Sequence, residues 1–186
     1  MRALGAEIVE IEESNLPGEF WAASLLLLQY EFKDSLNAYL AAAAPGVAAR
    51  TLSDVIAFNA ANADTELALF NQDLFTASDE LGPLTDQAYL DARALVQSAA
   101  RENGIDRLLK EYDVDALVSP SGPVSPRVDP VNGDVWPAWA GAGYLAAVAG
   151  YPHLTVPMGE VHGIPLGVSF MGGKDADAVL LAYGYA

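Results

Sequence analysis

The stretch "AAVAGYPHLTVPMGEVHGIPLGVSFMG", from Ala146 to Gly172, decides the fold of this chain. Its segments HLTVP and GIPLGVSFMG are apolar runs bounded by glycine and proline, a pattern typical of two strands joined by a loop. Gly159 and Gly163 are predicted to bracket that loop. Small residues such as Gly167 on one face of the second strand would let another segment approach the backbone. The opposite face is predicted to be apolar: Ile164, Leu166, Val168 and Phe170.

Upstream of this stretch the sequence predicts mostly helices. Apolar residues recur at threes and fours from Phe20 to about Leu40, which indicates an amphipathic helix. Thr51 and Asp54 fit a capping box that opens a second helix. Gly104 suits a C-terminal helix cap. The segment before that glycine is predicted to be a helix that packs through one face: Tyr89, Ala92, Val96 and Ala99.

Two further apolar runs are predicted to be strands, namely "AEIVEI" at 6–11 and "DALVSP" at 115–120, and "DADAVLLAYGYA" at 175–186 is predicted to be a closing helix. Helices combined with a few strands indicate an α/β layer structure. The length of 186 residues is enough for one domain with a hydrophobic core.

Composition excludes several classes of protein. The net charge of −16 would repel a phosphate backbone, so nucleic acid is not an expected partner. The chain has no cysteine, which excludes disulfides, thiolate nucleophiles and cysteine-bound zinc, and is in keeping with a cytoplasmic protein. The most apolar run, residues 20–28, is about half of the roughly 20 residues that span a bilayer. We therefore expect a soluble protein with no membrane partner.

The segment from Pro120 to Trp139 is rich in proline and glycine, which predicts a long irregular loop. Loops longer than about 12–15 residues are uncommon in compact domains and are often lids or binding loops. A nucleophilic serine here would need an adjacent base, and the motif G-x-S-x-G is not found. The favoured interpretation is that hydroxyls of this region bind turn backbone or touch substrate. The candidate substrate-binding residues are Ser119, Ser121, Gly122 and Trp136.

Two other segments carry residues of the types found in binding sites. "GAGYLA", which begins at Gly141, matches a dinucleotide-binding motif, but that motif needs a strand directly before it. The alternative is the start of a small-residue helix packed on a sheet, and the sequence favours it. His153 and His162 are nine residues apart, which is no recognised spacing of metal ligands, so no metal site is predicted. The histidines are expected to serve packing or to lie at the surface, and the lysines, including Lys33, to be solvated.

The order of segments resembles the C-terminal part of the amidase signature family, and within it the peptide-amidase-like branch. The helical region "EFKDSLNAYL" argues against the transamidation subunit. The resemblance covers nearly the whole chain. Four stretches carry it: residues 3–14, residues 30–75, "DALVSPSGPVSPRVDP" at 115–130, and the stretch quoted first.

The resemblance implies a fold of late strands of a mixed β-sheet with covering α-helices, with residues 1–186 forming a single, incomplete domain. It implies hydrolysis of carboxamides by a serine nucleophile, assisted by a second serine in a cis peptide and by a lysine, with no cofactor. The family's catalytic lysine and its Gly/Ser-rich segment lie upstream of the matched region. No catalytic residue can therefore be assigned in this sequence, and the chain alone is expected to be inactive.

The same resemblance implies the partners. The substrate would be a small-molecule or peptide amide, and the missing N-terminal half of the amidase domain would bind the exposed sheet edges and apolar surface of this part. Without that half, marginal stability or self-association is expected. The alternative hypothesis is a short non-catalytic protein that complements a separately encoded N-terminal half. Such a pair would need an interface of roughly 2,000 Å² or more.

Overall fold

The structure is a computed structural model that describes residues 1–12, 16–133 and 141–186. The chain divides into two compact units. One, the helical unit, is Gly18–Val96. The other, the sheet unit, combines Met1–Pro17 with Gln97–Ala186.

The helical unit is built around the long helix predicted from the sequence. That helix, α1 (Phe20–Ala41), is confirmed, and its buried residues are Phe20, Tyr30 and Leu40. Three of the apolar residues whose recurrence predicts the helix are exposed instead of buried: Leu25, Leu28 and Phe32. The Tyr30 ring contacts the ring of Tyr89, with 5.6 Å between centroids. The predicted face of the fifth helix is likewise buried. The helices that begin in this unit are α1 (Phe20–Ala41), α2 (Leu52–Ala61), α3 (Ala63–Glu66), α4 (Asp73–Asp79) and α5 (Gln87–Ala100).

The start of α2 confirms the predicted capping box. The Asp54 amide donates to Thr51 Oγ1 at 3.2 Å, and the Thr51 amide donates to Asp54 Oδ2 at 3.0 Å. Asp54 Oδ2 also accepts from the Arg50 amide at 2.8 Å. These hydrogen bonds, the one from Arg50 first, lower the pKa of the Asp54 carboxyl. The box satisfies amides that the first turn of a helix otherwise leaves unpaired.

Lys33 is not a simple solvated lysine, contrary to the sequence-based expectation. Its Nζ atom donates to the carbonyl oxygens of Asp79 at 2.6 Å and Leu81 at 2.5 Å. Both carbonyls lie at the C-terminal end of α4, where helical carbonyls have no partner within the helix. An ammonium group is favoured there by hydrogen bonding and by the helix dipole.

Arg50 holds the C-terminal end of α1. Its guanidinium donates to the carbonyl oxygens of Leu40, Ala43 and Ala44, at 3.2, 2.8 and 2.9 Å. We expect Arg50→Met to lower the free energy of unfolding by about 1–2 kcal/mol, because charge-assisted hydrogen bonds to three backbone carbonyls are lost. Urea unfolding followed by circular dichroism measures this. Lys110→Met, at an exposed position of another helix, is the control, and an equal loss in both variants would contradict the assignment.

Gly104 does not cap a helix, so that prediction is wrong. It lies within a π-helical turn, Arg101–Ile105, with φ −107° and ψ −106°, and the chain continues into α6 (Asp106–Glu111). A Cβ atom at this position would lie 2.6 Å from the carbonyl oxygen of Ala99. The glycine is therefore required by close backbone approach at a kink and not by a left-handed cap.

The sheet unit contains, among the described residues, an antiparallel sheet of three strands, in which the last strand of the sequence lies between the other two. The hairpin predicted from the opening stretch is confirmed. Its turn consists of His162 and Gly163, with φ 51° and 77°, the positive values that a tight two-residue turn needs. The prediction that Gly159 brackets the loop is wrong, because Gly159 lies within the second strand, beside a bulge. The strands are β1 (Leu117–Pro120), β2 (His153–Val161) and β3 (Ile164–Met171).

The predicted strand at 6–11 is wrong. Residues 6–12 adopt no regular secondary structure, and Ile8 and Val9 are exposed. An apolar run becomes a strand only when a neighbouring strand satisfies its backbone groups, and no described strand pairs with this one. The chain instead begins with a short 3-10 helix, Arg2–Leu4, that ends at the left-handed Gly5.

The two faces of the sheet pack against different helices. The face with Phe170 contacts α8 (Asp177–Tyr185), where the Phe170 and Tyr183 rings lie 6.5 Å apart. The opposite face contributes Leu117 and Met171 to the core, against α7 (Gly143–Ala149). The buried residues of that core are Ala100, Ile105, Leu108, Leu117, Leu145, Ala146, Ala149 and Met171. The α/β class predicted from the sequence is confirmed.

Candidate substrate-binding site

Hydroxyl side chains from all three strands lie on one face of the sheet. The strand register places Ser119 opposite Ser169, and Ser169 opposite Thr155, so the three form a row across β1, β3 and β2. Directly opposed residues of antiparallel strands share a face. Ser121 follows the end of β1, and its amide donates to the carbonyl of Gly167 at 2.8 Å. The polar row therefore continues the same face that carries Met171 in the core.

Three of these residues are hydrogen bonded to one another, and we call them the hydroxyl cluster: Ser121, Thr155 and Ser169. The Oγ atoms of Ser121 and Ser169 are 2.8 Å apart, and Thr155 Oγ1 is 3.0 Å from Ser169 Oγ. Ser121 Oγ lies 3.5 Å from Thr155 Oγ1. Ser169 is fully buried, whereas Thr155 is exposed. The cluster thus extends from the interior to the surface.

The hydroxyl cluster retains capacity for an outside partner. Each hydroxyl has one donor hydrogen and two acceptor lone pairs. Hydrogen bonds among three hydroxyls use at most three donors and three acceptors, so acceptor positions remain. Because Thr155 is exposed and Ser121 half-buried, those positions can accept hydrogen bonds from N–H groups of a ligand. An amide nitrogen is a ligand group of this kind.

The predicted binding residues have different surroundings. Ser119 Oγ accepts from the Ala142 amide at 3.1 Å and lies 3.0 Å from the Pro120 carbonyl oxygen, to which it donates. Ser119 therefore joins β1 to the segment that precedes α7. Ser121 is a member of the hydroxyl cluster, and Gly122 is half-buried beside it in the chain. Trp136 lies outside the described residues. All four remain predictions as ligand contacts.

Two glycines make the close packing of this region possible. A Cβ atom at Gly167 would lie 2.7 Å from Ser121 Oγ and 2.7 Å from Thr155 Cγ2, so only glycine leaves room for the hydroxyl cluster. A Cβ atom at Gly141 would lie 2.7 Å from the Ser121 carbonyl oxygen and 2.8 Å from that of Pro120. The sequence predicts small side chains on this face of β3, and the structure shows that Ser121 and Thr155 approach them.

The packing of "GAGYLA" favours the interpretation as a small-residue helix start. A Cβ atom at Gly143 would lie 2.7 Å from Cε1 of His153, so the histidine ring packs against the first turn of α7. Ala146 and Ala149 of the same helix are fully buried. His153 thus has a packing role, and His162 is exposed in the hairpin turn, as predicted. The residues directly before Gly141 lie outside the described part of the chain.

Tyr144 and Tyr151 lie on or just after α7. Burial raises the pKa of the Tyr144 phenol. Burial first, and then the hydrogen bond to Asp106 at 2.8 Å, raises the pKa of the Tyr151 phenol. Both phenols are therefore neutral hydrogen-bonding groups at physiological pH. Within residues 1–12, 16–133 and 141–186, no group of three or more His, Asp or Glu residues is placed to hold a metal ion.

Sequence reasoning missed Thr155 and Ser169. A signal was present, because each is a polar residue in an otherwise apolar strand of a hairpin whose register the sequence specifies. Their meeting with Ser121 could not be read from the sequence, since that contact joins residues 34 and 48 positions apart.

The fold and the site together define an α/β unit whose sheet presents a hydrogen-bonding surface beside a proline-rich loop. The family model for Amidase matches residues 1–181, so the chain belongs to the amidase family. This confirms the resemblance seen in the sequence, and the fold matches the C-terminal part of the amidase signature fold. Every helix among the described residues is too short or too polar to span a lipid bilayer.

Solved structures and a curated relative agree with this assignment. The native peptide amidase of Stenotrophomonas maltophilia is 38% identical, with a TM-score of 0.82 over 99% of this chain and 36% of that chain. A peptide amidase in complex with the competitive inhibitor chymostatin is 40% identical, with a TM-score of 0.78 over 90% of this chain and 34% of that one. A probable amidase of Arabidopsis thaliana is 28% identical over 163 residues, 87% of this chain and 28% of the relative. The chain therefore spans about a third of the length of these proteins.

Proposed function

We propose that this chain supplies the substrate-binding wall of an amidase that hydrolyses carboxamide C–N bonds. The observation that carries the proposal is the hydroxyl cluster beside the proline-rich loop, in a chain that belongs to the amidase family. Its acceptor positions suit the N–H groups of an amide. The similarity to peptide amidases supports small-molecule or peptide amides as the substrate class.

In this proposal the reacting groups come from outside the chain. The serine nucleophile, the second serine and the lysine that the family resemblance implies would belong to an N-terminal part of the amidase domain. The chain described here would bind and orient the amide, so that its carbonyl carbon faces the nucleophile. Ser169 would hold the Ser121 hydroxyl in place, because Ser169 is fully buried and bonded to it. The chain alone would then show no hydrolysis.

Ser121→Ala tests the binding role in an active enzyme made by joining this chain to the N-terminal segment of the Stenotrophomonas maltophilia peptide amidase. One lost hydrogen bond corresponds to about 0.5–1.5 kcal/mol, so kcat/KM should fall by roughly 2- to 13-fold. The size of the fall should differ between amides with one and with two amide hydrogens. Ser125→Ala, at an exposed position of the same loop, is the control. Equal kinetics of Ser121→Ala and the parent across several amides would refute the assignment.

Ser169→Ala distinguishes positioning from contact. Because Ser169 is buried, we expect its loss to leave Ser121 mobile, raising KM for the same amides that Ser121→Ala affects. The double variant should be close to the single variants, since both changes remove the same hydrogen bond. Additive losses from the two substitutions would show instead that they act independently.

The alternative proposal is a short, non-catalytic protein that complements a separately encoded N-terminal half. The chain spans 28–36% of the length of its relatives, which supports this alternative. Co-purification from the source organism with a protein that bears the lysine and the Gly/Ser-rich segment would support it. Recovery of the sequence within one longer polypeptide would refute it.

A further inference from the structure

Helix α1 carries apolar side chains on two opposite sides. One side faces the interior of the helical unit through Phe20, Tyr30 and Leu40. The other side is at the surface and contains four large apolar residues, which we call the α1 stripe. They are Leu25, Leu28, Phe32 and Tyr39, with 47%, 62%, 36% and 73% of their surface exposed.

The members of the α1 stripe lie on one side of the helix. Its members follow at intervals of three, four and seven residues, so they project within a sector of about 60° at 3.6 residues per turn. From Leu25 to Tyr39 the stripe is about 21 Å long, at a rise of 1.5 Å per residue. The Phe32 ring also contacts the ring of Phe75 on α4, at 5.3 Å between centroids. The stripe therefore borders a second helix of the same unit.

A surface helix usually buries one apolar stripe and presents a polar face to solvent, so a second apolar stripe is unusual for a helix that is covered on one side only. Single exposed apolar residues are ordinary, but a row of this length marks an interaction surface. Self-association through the stripe, which the sequence analysis gives as one expectation for the chain alone, is opposed by charge, because each copy carries a net charge of −16 and two copies repel each other.

We propose that the α1 stripe is the docking surface for the N-terminal segment of an amidase-signature domain, whether in the same polypeptide or in a separate one. The solved peptide amidases match 90–99% of this chain but extend over almost three times its matched length, at 34–36% coverage. The larger part of such a domain therefore has no counterpart here. The inference rests on the partner named under the proposed function, and adds to it the surface that this partner covers.

The test uses this chain and the purified N-terminal segment of the Stenotrophomonas maltophilia peptide amidase, the part that precedes the matched region. Binding is measured by light scattering after size exclusion and by titration. Leu28→Asp and Tyr39→Ser change the two most exposed members of the stripe and should each weaken the complex by about tenfold or more, as expected when large apolar anchors of an interface are lost. Ala38→Asp introduces the same charge at an exposed position of α1 outside the stripe, and should change the dissociation constant less than about twofold. Circular dichroism of each variant shows whether α1 remains folded.

Several outcomes would overturn the inference. One is that no complex forms, and another is that the complex tolerates Leu28→Asp as well as Ala38→Asp. A third is that a homodimer forms through Leu28 and persists when the segment is added. Amide hydrolysis separates the two proposals. A stripe-dependent complex without hydrolysis supports the docking surface and contradicts the amidase function. Hydrolysis by a complex whose affinity is unchanged by the stripe substitutions supports the amidase function and contradicts the docking surface.

Discussion

Replacing Met171 with alanine is expected to lower the free energy of unfolding of the sheet unit by about 2–5 kcal/mol, the usual cost of emptying a core position. Met171 is fully buried at the end of β3 and packs in the cluster that joins the sheet to α6 and α7. The same face carries Ser169 two residues earlier. Loss of Met171 should therefore also loosen the hydroxyl cluster.

The matched control for this prediction is Met158→Ala in the same hairpin. Met158 is 49% exposed and next to the bulge of β2, so its truncation should change stability by no more than about 0.5 kcal/mol. Hydrogen exchange of the peptide that covers β3, read by mass spectrometry, reports the local stability of both variants. If the two methionine substitutions accelerate exchange equally, Met171 does not anchor the core as described.

Replacing Gly141 with alanine is the second large effect that we expect. The added Cβ atom would lie within 2.8 Å of two carbonyl oxygens, those of Pro120 and Ser121. These oxygens belong to the backbone and cannot relieve the contact by a change of rotamer, so β1 or the start of α7 must move. Overpacking of this kind costs about 1–3 kcal/mol. In the joined enzyme kcat/KM should fall as well, because Ser121 is displaced from Ser169.

Gly46→Ala is the control for Gly141→Ala. A Cβ atom at Gly46 meets nothing within 4 Å, and its φ is not in the left-handed region. Its replacement should be neutral or stabilise the protein by up to about 1 kcal/mol, since alanine restricts the unfolded chain more than glycine does. A normal melting temperature and unchanged amide hydrolysis in Gly141→Ala would contradict the close approach of the backbone described here.

Both predictions concern the same physical arrangement. One face of the sheet is apolar near Met171 and polar near Ser121 and Thr155, and the two parts are held by the same strands. Burial of the apolar part positions the polar part, which is how a packed scaffold holds a binding surface in place. The proposed enzyme would therefore lose substrate selectivity when its core is loosened, before it loses its fold.

The sequence by itself determined the local elements of this protein. The hairpin, α1, the capping box at Thr51 and the buried face of α5 follow from periods of 2 and 3.6 residues and from the chemistry of turns and caps, which act within a few positions. The resemblance to the amidase signature family came from the same printed residues, and the family match confirms it.

Only the tertiary structure decided how distant segments meet. The strand predicted at 6–11 is absent from the described residues because nothing pairs with it, and Gly104 serves a kink because the Ala99 carbonyl lies against it. The hydroxyl cluster joins Ser121 to Ser169 across 48 positions, a contact that no local pattern encodes. The exposure of the α1 stripe likewise depends on what covers the helix. A second apolar stripe on a helix predicts a second contact, but the sequence of the helix alone does not say which surface provides it.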